Sequence, residues 1–398
     1  MSDFEAKHVI EAMRSGIPSR AVGAYFSEAR PAMSRKIQEK IDRVKETGIS
    51  DGMIFTGRYG EGKTHLLNSV FHSATTANMI VTLMPLGKET PIDKLHLMYP
   101  KMAANTYLPG AEQPGFRRLF EEMTPNSTIA GELLAYSAKE LQTDKLYYML
   151  KAFLGTQDED EKLTFLLDFE GDFTNGSIIK RSFKHVTGST AKFNQNFSKT
   201  KHTMDYFYFM SHLFRKLGYD GWVILFDEAE LIGRFSKKAR MKSYAQIQRF
   251  LSPDRRLEGV FSLFAMSSSF TEDVIDKRNE FENVKQTYAE DDPDRAAAEK
   301  TLNAILKAPE LAPLTREEIG EVLLRVQEFH GRAYDWTPSV SEETLYKATQ
   351  AGGYLLRTKI RIAIEFLDQL YQYGVAGNTT ITELGKETLD EETPLLEL

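Results

Sequence analysis

The 398-residue chain contains no cysteine. That absence excludes a disulfide framework, thiolate metal sites, iron–sulfur clusters and a cysteine nucleophile. Long apolar runs are missing as well: none approaches the length of about 18 residues that a membrane-spanning helix needs. Met1 to Arg14 mixes acids, bases and a histidine and lacks the apolar stretch of a secretory signal, so a cytoplasmic protein is the expectation. The eight histidines show no metal-ligand spacing, and no Ser-His-Asp set can be assigned. Positive charge is in deficit. Fifty Lys and Arg stand against 57 Asp and Glu, a net charge of −7, so any nucleic-acid contact has to come from a local basic patch.

What is present is a soluble, globular composition, 41% apolar and 27% charged. At about 150 residues per domain the length anticipates two to three domains. Residues 1–48 read as helices, broken at Ser15-Gly16-Ile17-Pro18-Ser19. Short apolar runs at Gly52–Gly57, Met79–Pro85, Trp222–Phe226 and Val260–Met266 have the length and composition of buried strands. The pattern predicts an α/β core with a parallel sheet over 49–310. Within it, about 86–215 reads as a largely helical insertion, because ordinary connections are far shorter. A helical region follows at 311–376, opened by Thr315 and Glu318 at capping-box spacing, and then an acidic tail at 377–398.

Gly57-Arg58-Tyr59-Gly60-Glu61-Gly62-Lys63-Thr64 satisfies the pattern G-x-x-x-x-G-K-[ST] in full, with a strand before it and a helix after it. The glycines let backbone N–H groups close around phosphates, and the helix adds the positive end of its dipole. Lys63 is placed on the β- and γ-phosphates and the Thr64 hydroxyl on Mg²⁺, with His65 next in line. Downstream, a buried strand ends in Asp227-Glu228. This is a Walker B pattern, with Asp227 toward Mg²⁺ and Glu228 as the group that polarises an attacking water. The strand at Val260 ends in Ser267-Ser268-Ser269. Ser267 or Ser268 is a candidate reader of the γ-phosphate; the other reading is an N-cap for a helix near Thr271.

This order of elements resembles the AAA+ layout, a P-loop ATPase core with a C-terminal helical lid. Leu311 to Glu318 looks like the start of such a lid. Gly353-Tyr354-Leu355-Leu356-Arg357-Thr358 looks like its sensor-2 turn, with Arg357 toward the phosphates, Arg361 as rival, and a plain surface arginine as the other reading. A narrower resemblance comes from Ile10-Glu11-Ala12-Met13-Arg14-Ser15-Gly16-Ile17-Pro18 together with the Gly57 loop and its His65-Leu66-Leu67 continuation. These are similar to the BREX-associated ATP-binding proteins of bacterial phage defence, from about residue 8 to 373. The resemblance implies ATP and Mg²⁺ as ligands, hydrolysis, and action in a multi-protein anti-phage system, at DNA or on a DNA-bound helicase or nuclease partner. It also implies a homo-oligomer completed by an arginine finger, for which Arg255, Arg256 and Arg278 are candidates.

Two basic stretches stand out. One holds Lys180, Arg181, Lys184, Lys192, Lys199 and Lys201, interleaved with Phe183, Phe193 and Phe197; the other holds Arg234, Lys237, Lys238, Arg240 and Lys242. Bases with aromatics can track a phosphate backbone and stack bases; otherwise they are solvated faces and core rings. Three functions remain open at this level: an ATPase motor or switch acting at DNA, a nucleotide-gated scaffold, and a replication-initiator or helicase-loader ATPase. The third is disfavoured, because 25 residues after Tyr373 are too few for a winged-helix module.

Overall fold

The structure is a computed structural model that describes residues 3–16, 20–26, 30–121, 123–353, 355–377 and 381. Ile17 to Ser19, Tyr354 and, apart from Gly377 and Ile381, the acidic tail lie outside the described residues. In chain order the first elements are α1 (Asp3–Ser15), α2 (Arg20–Tyr25), α3 (Pro31–Thr47), β1 (Asp51–Gly57), α4 (Lys63–Thr76) and β2 (Ile80–Pro85). Next come α5 (Leu95–Ala104), β3 (Thr106–Tyr107), α6 (Arg118–Glu121), α7 (Thr128–Lys139), α8 (Lys145–Gly155), α9 (Glu159–Leu167), α10 (Gly176–Thr187) and α11 (Lys199–Lys216). The last group is β4 (Trp222–Asp227), α12 (Lys237–Leu251), β5 (Val260–Ser267), α13 (Glu280–Thr287), α14 (Pro293–Leu306), α15 (Arg316–Tyr334), α16 (Glu342–Ala348) and α17 (Leu356–Tyr373).

The chain divides into two compact units. One comprises Met1–Ser34, Arg58–Ser69 and Leu311–Leu398; the other comprises Arg35–Gly57 and Val70–Glu310. The larger unit is built on a five-stranded sheet of order β1-β5-β4-β2-β3. The first four strands are parallel, as the unbroken apolar runs predict for strands covered on both faces. The fifth is a correction to the all-parallel expectation. β3 pairs antiparallel with β2, Val81 opposite Tyr107 and Thr82 opposite Thr106. Two residues are too few to show a strand periodicity, and a buried side-chain bond between Thr82 Oγ1 and Thr106 Oγ1 (2.6 Å) fixes them instead.

The inserted region is not a loose appendage. Phe116, Phe207 and Phe214 pack on Trp222 of β4, with ring centroids 5.3–6.4 Å away, so its helices share one core with the sheet. Two ion pairs are sealed into this unit. Lys145 Nζ lies 2.7 Å from both Asp168 Oδ2 and the Tyr206 hydroxyl, which itself donates to Asp168. Burial pulls the Lys145 ammonium below its usual range, and Asp168 opposes that shift. Arg240, only 6% exposed, grips fully buried Glu280 through Nε (3.0 Å) and Nη2 (2.8 Å), while the Tyr244 hydroxyl donates to the same carboxylate at 2.8 Å. Arg240 is therefore withdrawn from the second basic stretch, whose surface charge rests on its other members.

The smaller unit packs α1, α2, α15, α16 and α17 around Val9, Ile10, Phe26, Leu323, Phe329 and Ile364. The capping box forms as expected, with Glu318 N–H on Thr315 Oγ1 and Thr315 N–H on Glu318 Oε2. Arg14 reaches across to the Tyr334 hydroxyl (3.0 Å) and Asp368 (2.9 Å). His330, fully buried, completes this polar seam by pairing Nε2 with Asp368 (3.0 Å) and accepting Trp336 Nε1–H at Nδ1 (2.9 Å). Among the described residues no helix is long and apolar enough to cross a membrane.

The Glu280 pair generates a stability test. Burial works against the charged form of Glu280, but hydrogen bonds from Arg240, Asn283 and Tyr244 outweigh it and hold the carboxyl below the ordinary glutamate range. A depressed folded value contributes stability that is complete above the unfolded pKa, about 4.3, and is lost as pH falls through the folded value. Glu280→Gln leaves the buried Arg240 charge unmatched, so it is expected to cost about 3–5 kcal/mol at neutral pH and to flatten part of the acid limb. Urea melts of both proteins from neutral to acid pH read this directly; equal neutral-pH midpoints would show that the pair contributes no net stability.

Candidate nucleotide-binding site

The carboxyl ends of the four parallel strands, Gly57, Ser267, Asp227 and Pro85, lie along one edge of the sheet. Gly57 is opposite Ser267, and Asp227 is opposite Pro85. Backbone bonds continue past the strands, from Ser268 N–H to Gly57 O (3.2 Å) and from Leu86 N–H to Asp227 O (2.9 Å). Such an edge is where open α/β sheets take ligands. β5 stands between β1, which feeds the glycine loop, and β4, which ends in Asp227-Glu228.

Asp227 is largely buried, and its Oδ1 accepts the Glu228 N–H at 2.9 Å. Glu228 is exposed and holds a left-handed backbone (φ 51°, ψ 36°), uncommon for a residue with a side chain. Strain of that kind costs about 1–3 kcal/mol and persists where the surroundings enforce it. Ser267 does not cap a helix: the turn at Thr271–Asp276 starts from Phe270 without a side-chain cap. Instead Ser267 donates its N–H to Glu230 Oε2 (3.0 Å), and its hydroxyl lies 3.1 Å from that of Ser269. Glu230 was not legible in the sequence, because nothing in the run Asp227-Glu228-Ala229-Glu230 marks the second glutamate as the one that braces β5.

The glycine loop belongs to the smaller unit. Gly60 and Gly62 adopt φ of +77° and +90°, and a Cβ at Gly60 would come within 2.6 Å of Leu355 Cδ2, so both positions need glycine. Arg58 and Tyr59 are exposed. The loop supplies its own acceptors: Arg58 N–H bonds Glu61 Oε2 (2.8 Å), and Lys63 Nζ reaches Arg58 O (3.3 Å). α4 begins at Lys63, so Lys63 and Thr64 occupy its first turn, where N–H groups have no partner within the helix.

An upstream segment is strapped along this loop and helix. Arg30 Nη2 donates to Glu61 O (2.5 Å), His65 Nε2 pairs with Phe26 O (2.8 Å), and Ser69 Oγ donates to Gly23 O (3.1 Å). His65 and Ser69 are four apart on α4 and so share one face. Burial pushes the His65 imidazole below its usual range, helped by the Arg30 charge and opposed by the bond to Phe26. Because the Phe26 carbonyl can only accept, His65 Nε2 is the donor in this pair. His65, grouped with the phosphate loop in sequence, is committed here to Phe26. Arg30 had no sequence signal, lying far upstream in no motif.

The remaining arginine candidates separate. Arg357 is exposed on the first turn of α17, its stem near Gly16, where a Cβ would lie 3.2 Å from Arg357 Cδ. Arg361 donates to Arg14 O at 3.2 Å, which ties it to the end of α1. Arg256 is paired with Asp254 (2.9 Å) and lies over Tyr208, and Arg278 donates to Gly233 O (2.8 Å), whereas Arg255 is exposed.

No curated protein matches the chain. A family model does: that of the BREX system ATP-binding proteins BrxC/D matches residues 1–128 and 155–374. The matched residues include the N-terminal helices, the glycine loop, the Asp227-Glu228 strand end and α15–α17, and leave out only the segment spanning most of α7 and α8 and the C-terminal tail. The chain therefore belongs to the family of BREX system ATP-binding proteins BrxC/D.

Proposed function

We propose that the protein is an AAA+ type ATPase that binds Mg²⁺-ATP through Gly57 to His65, hydrolyses it, and uses the cycle within an anti-phage defence assembly. The observation that carries this reading is the strand order. An extra strand, β5, separates the glycine-loop strand from the strand ending in Asp-Glu, and both end on one edge of the sheet. In this reading backbone N–H groups of the loop hold the phosphates and Lys63 neutralises the β- and γ-phosphates. Ser267, braced by Glu230, reads the γ-phosphate. Arg357 contributes charge from the lid.

The donor set suits Mg²⁺. That ion takes one or two protein ligands and completes its shell with phosphate oxygens and water; in this reading its protein ligands would be drawn from the Thr64 hydroxyl and the Asp227 carboxylate, both oxygen donors of the kind it prefers. The ion would supply neutralisation of phosphate charge. Glu228 is the residue that takes the proton from the attacking water, and its strained backbone supports a functional rather than a merely structural role. A homo-oligomer would add an arginine from a second copy. Arg255 suits that task better than Arg256 or Arg278, which already have partners in this chain. The rival reading, a nucleotide-gated scaffold that recruits a helicase or nuclease, shares every feature except turnover.

Two substitutions separate these readings. Lys63→Ala removes a charge-assisted contact of about 1.5–3 kcal/mol, so ATP affinity is expected to fall at least about tenfold by equilibrium titration; unchanged affinity would remove this loop from the site. Glu228→Gln keeps shape but loses the basic oxygen, and is expected to slow single-turnover hydrolysis by about 10²–10⁴-fold while ATP stays bound. Retained wild-type turnover would make Glu228 structural. A wild-type protein that binds ATP without hydrolysing it, alone or with DNA, would favour the scaffold.

A further inference from the structure

Between Asp172 and Asp205 the chain has no acidic residue, yet it holds Lys180, Arg181, Lys184, Lys192, Lys199 and Lys201. All six are exposed. The structure explains why on α10: Ile179, Ser182 and Phe183 turn inward, which leaves Lys180, Arg181 and Lys184 on the outer face. None of the six forms an ion pair with a described residue, whereas Lys162 on the preceding helix is held by Glu159.

The positive region extends beyond this stretch. Burial first, and then the ammonium groups of Lys199, Lys242 and Lys94, hold the His96 imidazole below its usual range. Lys94 and Lys242 also act on buried Asp93, which is the opposing charge. Lys94, Lys199 and Lys242 are all exposed, and α5, which follows Lys94 and carries His96, packs against α11, which opens at Lys199.

The aromatics decide which polyanion fits. Phe183 is buried and packs edge-on to Tyr148 at 4.9 Å. Phe193 is half-buried, packs on Tyr148 (5.4 Å) and carries Lys180 at 4.8 Å. Phe197 lies 4.4 Å from the buried Lys145 ammonium. These rings serve the core, so none is a free platform for an unstacked base, the feature that single-strand binders rely on. What remains is a surface of exposed cations with no ring left free to stack a base, which suits a regular array of phosphates.

We propose that the outer face of α10, the loop after it and the start of α11, continued by Lys94 and Lys242, form a binding surface for the phosphodiester backbone of duplex DNA. Recognition is by charge and independent of sequence. It does not rest on the ATPase reading, because every residue invoked lies outside the nucleotide site.

Fluorescence anisotropy with a labelled duplex and its separated strands, without nucleotide, tests this. Each neutralised phosphate contributes about −0.9 to the slope of log affinity against log salt. Replacing Lys180→Gln, Arg181→Gln and Lys184→Gln together is expected to flatten the duplex slope by about 3 and to weaken binding at least tenfold; the triple change Lys192→Gln, Lys199→Gln and Lys201→Gln should do the same. A double control, Lys277→Gln with Lys285→Gln, should leave both unchanged, as should Lys63→Ala, so that failure of the ATP site stays distinguishable from failure of this surface. Thermal melts check that the variants fold. No salt-sensitive duplex binding, unchanged binding by both triple variants, stronger binding of single strands, or capture of an acidic peptide in place of DNA would each overturn the proposal.

Discussion

The hydrogen-bond register of the parallel strands is the constraint on which the chemistry depends. Gly57 opposite Ser267 and Asp227 opposite Pro85 bring four chain ends to one edge, although they lie up to 210 residues apart in sequence. A parallel sheet is stable only when both faces are covered, and the short, densely apolar runs of β1, β4 and β5 reflect that demand. The largely buried Asp227 closes a strand with all six residues buried and the strained Glu228 follows it immediately, so the sheet can hold a local conformation that a loop could not. Glu230 extends the same logic, since its carboxylate holds the end of the neighbouring strand at Ser267.

Cover for that sheet comes from the inserted helices together with α12 and α14, and their cohesion is not purely apolar. Lys145, Asp168 and Tyr206 satisfy one another in a dry interior, and Arg240 with Glu280 and Tyr244 does the same on the helices after β4. Replacing such groups by well-packed apolar residues is often neutral or stabilising, whereas removing one partner is costly. Their contribution is therefore better read as specificity of arrangement. Each fixes which turn of one helix faces which turn of another, where Phe and Tyr packing alone would tolerate slippage.

Much of this architecture was legible in sequence because its signals are local. Strand runs, the glycine loop, the Asp-Glu strand end and the Thr315 capping box each depend on residues within a few positions of one another. What escaped the sequence depends on distant partners. β3 is a two-residue pairing with a strand some 25 residues upstream, Arg30 finds Glu61 at a separation of 31, and Glu230 finds Ser267 at 37. The roles of Glu61, His65 and Ser269 likewise come from the acceptors and donors they meet rather than from their place in a motif. Residue type announced polarity at these sites without announcing a partner.

The two basic stretches show how far composition can be trusted. Arg240 and Lys180 sit in sequence contexts of similar charge, yet one is sealed against Glu280 and the other stands on an outer helix face. The difference is helical phase. Ile179 and Phe183 on α10 bury the face that alternates with Lys180 and Lys184, while Met241 and Tyr244 on α12 draw Arg240 inward with them. A net charge of −7 makes this distinction matter, because long-range attraction for a polyanion is absent and only cations left without internal carboxylates can offer it locally. In the stretch from 180 to 201 no member forms an ion pair with a described residue, although Lys180 acts on the half-buried Asp144, and the second stretch meets the condition less completely. Unpaired exposed charge, rather than charge density along the chain, is therefore the quantity that singles out a surface for phosphate in an acidic protein.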